Sequence, residues 1–267
     1  METTTMESTT KYSNHATRAK EEPRRERAEQ DPRRNPNQPQ RPDGMLDLPD
    51  RPRTGSPVPW LTSIHATNGR GRYGDASYRG NCSGLLIRDL LCYFKPRRVL
   101  DPMCGGGTCP DVCAELGIEC RAQDIKRGFD AANPSHYRNL DEFDFIWLHP
   151  PYWKMICYSD DPRCLSNAPT LKDFLGRLRA VIHNCLEVLT RRGHLAILMG
   201  DGKHKGEYLG LPFLTLGVAR AEGLWLAAPE IIRFSHGASS SAKQYQHAFI
   251  PRLHDVCFVL KRRREEA

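Results

Sequence analysis

No stretch of this 267-residue chain approaches the roughly 18–20 apolar residues of a membrane span, so no membrane partner is expected. None of its ten cysteines forms Cys-x-x-Cys, and no apolar segment follows Met1. That argues against a secreted disulfide scaffold and for a cytoplasmic protein. Cys104, Cys109, Cys113 and Cys120 do cluster, with Cys109 and Cys113 at helical i, i+4 spacing. Structural zinc takes four ligands converging from paired knuckles. These four are strung through one loop, one helix and one strand, so they are expected as small buried core residues, with no metal. The chain also lacks internal repeats and the G-x-G-x-x-G of a dinucleotide site. Its first 58 residues are nearly devoid of aliphatic side chains. Runs such as Arg24-Arg25-Glu26-Arg27 cannot bury enough apolar surface to offset chain entropy. The expectation is a disordered tail over 1–58 and one folded domain over 59–267.

What remains is rhythmic. A helix is expected over 83–94 with Ser83 as its cap, then a strand over 98–101 and a helix from Thr108 with Gly117 just past its end. Strands follow over 118–124 and 143–148. The longest helix should run from Thr170 to about Thr190, opened by a Thr170/Asp173 capping box and closed by Gly193. A strand over 194–199, a helix over about 211–222 and two final strands, about 224–234 and 256–260, complete the pattern. Strands alternating with helices predict a mainly parallel α/β sheet with helices on both faces. The last two strands, with no helix between them, should form an antiparallel edge. Ligands in such sheets sit beyond the carboxyl ends of the strands, where strand order switches. The motifs at Asp101, Asp124 and His149 all fall at such ends.

Asp101-Pro102-Met103-Cys104-Gly105-Gly106-Gly107-Thr108 places an acid and a glycine run between a strand and a helix. Glycines allow positive φ and close approach of the backbone to a ligand. Asp124 stands twenty-three residues after Asp101, at the end of the next strand, where a carboxylate can accept both hydroxyls of a ribose. Loop and acid together point to a nucleoside-containing cofactor. His149-Pro150-Pro151-Tyr152 is the most specific feature. Two prolines at a buried strand end each remove a backbone donor and fix φ, which holds a rigid extended turn.

These segments resemble amino-methyltransferases that act on DNA. The loop is similar to their Asp-Pro-Phe-x-Gly-Ser-Gly-Thr motif, with Met103 for Phe and Gly106 for Ser, and the turn to their Asp/Asn/Ser-Pro-Pro-Tyr. Arg79-Gly80-Asn81-Cys82-Ser83-Gly84 and Tyr158-Ser159 also match. The resemblance covers about 75 to 262 and implies a Rossmann-like class I methyltransferase fold with S-adenosyl-L-methionine as cofactor. It gives the cofactor to Asp101, Met103, Cys104, Gly105, Gly107 and Thr108, with Asp124 on the ribose. It implies that His149 and the carbonyl of Pro150 accept hydrogen bonds from the target amine of adenine or cytosine. Tyr152 would stack on a flipped base, with Pro151 and Trp153 beside it. His149 departs from the motif. A neutral imidazole accepts through one nitrogen and a protonated one through none, so His149 can serve only if it stays neutral.

The formal charge is +7 and the tail is nearly balanced, so a basic folded part suits a polyanionic partner. With no separate recognition domain, Lys203 in the loop over 201–208, Lys243 in the loop over 234–251, and Arg252 are expected to grip phosphates. RNA, as the substrate of a guanosine amino-methyltransferase, is the alternative to DNA. A methyltransferase-like binding module that has lost catalysis is another.

Overall fold

The structure, a computed structural model, describes residues 55–67, 69, 71–234, 250 and 252–263. Of the expected tail over 1–58, all but 55–58 lies outside the described residues, and so does Lys243. Val58 is buried, so a truncation that spares the fold must end before it.

The strands are β1 (Ile64–His65), β2 (Arg98–Asp101), β3 (Glu119–Ala122), β4 (Phe143–Leu148), β5 (Leu189–Met199), β6 (Lys203–His204), β7 (Glu207–Tyr208), β8 (Leu224–Leu226), β9 (Ile231–Phe234) and β10 (His254–Arg262). The helices are α1 (Gly84–Phe94), α2 (Thr108–Leu116), α3 (Leu171–Glu187) and α4 (Leu211–Ala221). The main sheet runs β3-β2-β4-β5-β10-β9-β1, with β8 also on β10. Strands β2, β3, β4 and β5 are parallel, as are β1 and β9. Strand β10 is antiparallel to all its neighbours. This is the Rossmann-like α/β architecture that the strand–helix alternation predicts.

Period-two alternation divides the core cleanly. Phe145 and Trp147 of β4, Ala196 and Leu198 of β5, and Cys257 and Val259 of β10 face α1 and α2. Ile146 and Leu148, Leu195 and Ile197, and Phe258 and Leu260 face α3 and α4. A strand buried on both faces must be apolar throughout, and 256–260 is. Accordingly β10 is flanked by β5 and β9, and the C-terminal strands make the expected antiparallel edge of the sheet.

Caps set the helix starts. The Ser83 hydroxyl accepts from the Leu85 amide, and Thr170 and Asp173 form the expected reciprocal box. Helix α3 stops at Glu187, however, and Gly193 does not close it. Strand β5 begins at Leu189 and its pairing with β4 shifts between Phe143 and Phe145. Gly193 lies in that irregular stretch, where an added Cβ would fall 2.6 Å from the Leu189 side chain and 3.0 Å from the Asp144 carbonyl. The glycine therefore serves a bulge within a long strand. The loop over 201–208 carries the β6–β7 hairpin. Between Asp124 and β4 the chain makes only two short 3-10 turns.

Candidate active site

The chain leaves β2 for β3 on one side and returns to β4 on the other, so strand order switches beside β2. A cleft of about 830 Å³, solvent mouth included, opens there. The glycine loop and the proline turn both line it. Asp101, Met103, Cys104, Gly105, Thr108 and Asp124 border it from one side, and His149, Pro150 and Pro151 from the other.

Local backbone needs build the loop. Gly105 and Gly107 have φ of 46° and 84°, a left-handed geometry that costs a side-chain-bearing residue strain. Gly107 caps α2 through its backbone alone. Asp124 ties the loop to the neighbouring strand. Its carboxylate accepts from the Gly105 amide at 3.0 Å and from the Lys126 amide at 3.0 Å. Cross-links from Cys104 N–H to the Gln123 carbonyl and from Gln123 N–H to the Asp101 carbonyl complete the frame. Each carboxylate oxygen keeps a further lone pair for a hydroxyl donor. Asp101 accepts from the Met103 amide at 3.1 Å, and burial pushes its carboxyl well above the usual range.

The segment before α1 forms one wall. Asp75 N–H donates to the Gly106 carbonyl, Asn81 donates to the Asp75 carbonyl, and the Thr108 hydroxyl donates to the Asn81 side chain. Tyr78 and Tyr158 stack with ring centres 5.9 Å apart. Both line the cleft, and Tyr78 lies so close to Gly105 and Gly106 that a Cβ on either would come within 2.9 Å of it. Phe129, Asp130 and Arg163 line the cleft too. Tyr78, Phe129, Asp130 and Arg163 escape sequence reading, because they sit in irregular segments where periodicity is silent. Tyr158 is marked only by its offset from the proline turn.

On the far side, the ring of His149 lies with its Nε2 2.9 Å from the Tyr152 hydroxyl. Tyr152 is not among the residues lining the cleft. Its phenol is turned to His149, and its ring crowds Gly200, where a Cβ would meet it at 2.4 Å. Trp153, expected at the substrate, is buried instead. Its indole N–H donates to the Ala168 carbonyl at 2.9 Å, so it anchors the turn. Lys203 lies over the Tyr208 ring in the hairpin, and Arg252 borders a separate groove beside Phe213 and Ile250. Neither borders the cleft. Behind His149, Arg233 of β9 and Asp255 of β10 form a buried cross-strand ion pair.

Burial, assisted by the Arg233 cation and opposed by Asp255, lowers the His149 imidazole to about 4. His149 is therefore neutral near pH 7. Because the folded value lies below the ordinary 6.5, the folded state binds fewer protons between the two. The stability that neutral His149 allows is thus full above pH 6.5 and lost as the pH falls toward 4, by about 3 kcal/mol. In urea titrations, the stability difference between wild type and His149→Gln should shrink or reverse from about pH 7 to about pH 4.5. A difference that does not change with pH would refute this.

The chemistry available is set by the residues that line the cleft. Its lining holds carboxyl groups (Asp101, Asp124, Asp130), apolar side chains (Met103, Phe129, Pro151) and the neutral imidazole of His149. The three sulfurs of Cys109, Cys113 and Cys120 lie within 4.8 Å of one another behind the loop. No helix among the described residues is long and apolar enough to cross a membrane.

No protein-family profile and no curated protein matches the sequence. Among solved structures, TrmN from Thermus thermophilus is similar with a TM-score of 0.43 and 21% identity, over 69% of this chain and 50% of its own. Another Thermus thermophilus protein, described as a DNA modification methylase and complexed with S-adenosyl-L-methionine, gives a TM-score of 0.36 and 20% identity, over 52% and 55%. A TehB-like SAM-dependent methyltransferase from Corynebacterium glutamicum gives 0.35 and 14%, over 62% and 80%. The chain thus spans about half the length of the first two.

Proposed function

We propose that this chain is an S-adenosylmethionine-dependent methyltransferase acting on an exocyclic amine of a nucleic-acid base, adenine or cytosine in DNA. The observation that carries the reading is the meeting of the glycine loop and the His-Pro-Pro turn on one cleft at the strand switch point. The cleft fits the cofactor in chemistry. Gly105 presents bare backbone at the cleft beneath Tyr78, Asp124 can take ribose hydroxyls, and the apolar walls suit an adenine ring. When bound, the cofactor supplies an electrophilic methyl group on a sulfonium.

The remaining work falls to this chain's own residues. The target amine would donate one N–H to the Pro150 carbonyl and one to His149. That assignment requires a particular tautomer. With its proton on Nε2, His149 donates to the Tyr152 hydroxyl and keeps Nδ1 as an acceptor. The reverse tautomer offers an amine nothing. Such a neutral acceptor draws lone-pair density out of the ring toward the amine nitrogen. The nitrogen gives up its Nδ1-bonded proton once it gains a fourth bond. An imidazole held to about 4 keeps little of that proton and passes it to water. Positioning supplies most of the acceleration. Tyr158 and Tyr78 on the cleft wall, and not Tyr152, would offer the flipped base its stacking face.

Tritium transfer from labelled cofactor to duplex DNA, single-stranded DNA and bulk RNA tests the proposal. Label in exocyclic N-methyl groups of DNA is the expected result, and Tyr158→Ala should lower it at least tenfold while sparing affinity for S-adenosylhomocysteine. Label confined to RNA would move the substrate to guanosine. Binding of S-adenosylhomocysteine with no transfer to any nucleic acid would leave a cofactor-binding module.

A further inference from the structure

We propose that Cys109, Cys113 and Cys120 form a binding site for a thiophilic divalent cation of the zinc type. Cys109 and Cys113 stand one turn apart on the face of α2 that meets the sheet, and both are buried. Cys120 comes from β3, where it pairs in register with Val99 of β2. Val99 belongs to the same side of the core as Cys109 and Cys113, and Cys120 packs against it. All three sulfurs fall within 4.8 Å of one another, and all are free thiols. A common ion at a zinc–sulfur distance of about 2.3 Å holds its sulfurs roughly 3.8 Å apart. Closing the set therefore asks for about 1 Å of side-chain movement.

Charge selects the ion. Three thiolates around a monovalent cation would leave two negative charges in an apolar layer, whereas a divalent cation leaves one. Binding releases up to three thiol protons and changes no oxidation state. Zinc also takes three protein ligands with a fourth position left to solvent, and Cys109 borders the cleft, which can supply water. Bound there, the ion would pin α2 to β3 directly behind the glycine loop. The inference rests on this sulfur geometry and stands or falls apart from the methyltransferase reading.

Zinc titrated into the reduced full-length protein against a chromophoric chelator should show one tightly held equivalent per chain. Zinc should also raise the melting temperature. In Cys120→Ser, changed at a half-buried position where a hydroxyl is tolerable, affinity should fall at least tenfold and the thermal shift should vanish. Cys185→Ala, at a buried thiol on the opposite face of the sheet, should behave as wild type. Cobalt(II) in place of zinc should give thiolate-to-metal absorption in the near ultraviolet that Cys120→Ser lacks. Equal zinc affinity in wild type and Cys120→Ser overturns the proposal. So does tight copper(I) binding at these sulfurs without zinc binding.

Discussion

Asp255→Ala is expected to destabilise the protein by about 3–5 kcal/mol, because it strands the Arg233 guanidinium as an unpaired buried charge. The Arg233 side chain is only 8% exposed and its ion pair with Asp255 joins β9 to β10. Its Nε has no hydrogen-bond partner among the described residues, so Asp255 carries most of the compensation. Urea unfolding of the full chain should show the midpoint falling with little change in slope. The double variant Arg233→Met with Asp255→Leu should recover most of the loss, since an apolar pair of similar volume avoids the desolvation of both ions. A single-variant loss below about 1 kcal/mol would mean that water reaches the guanidinium. The pair also borders the imidazole, but the double variant removes the opposing Asp255 together with the Arg233 cation and leaves the burial, so His149 should stay below its ordinary value.

Asp124→Ala should weaken affinity for S-adenosylhomocysteine by about 1–3 kcal/mol, through loss of the acceptor for the ribose hydroxyls. Its effect extends further, because the same carboxylate accepts the amides of Gly105 and Lys126. Leaving those two donors unpaired should cost about 1–3 kcal/mol of stability. Asp124→Asn keeps one side-chain oxygen and should fall between the two. Calorimetric titration beside thermal melts separates the effects. Unchanged affinity in a folded Asp124→Ala protein removes the ribose role, whatever happens to the melting temperature.

Much of this architecture can be read directly from residue order. The caps at Ser83 and Thr170, the glycine stop at Gly117, and the apolar runs of β4 and β10 are local signals. They act through backbone hydrogen bonding and periodicity that neighbours in the chain enforce. The same holds for the site's two principal segments. A glycine run after one strand and a proline pair after another must lie at strand carboxyl ends, and a parallel sheet puts those ends on one side. Gly193 shows the limit of such reading. A helix-stop glycine and a bulge glycine look alike until the register between β4 and β5 is known.

The sequence by itself determined the α/β alternation, the positions of the two turns, and the requirement that His149 be neutral if it is to accept a hydrogen bond, whereas the burial that keeps it neutral is tertiary. Tertiary structure alone decided that Tyr152 turns to His149 while Tyr78 and Tyr158 face the cleft, and that Trp153 is an anchor. It also decided that two cysteines of α2 and one of β3 converge. The physical reason is that side-chain direction within irregular segments, and proximity across a sheet, depend on packing between residues far apart in the chain. No local preference of φ, ψ or hydropathy encodes those contacts.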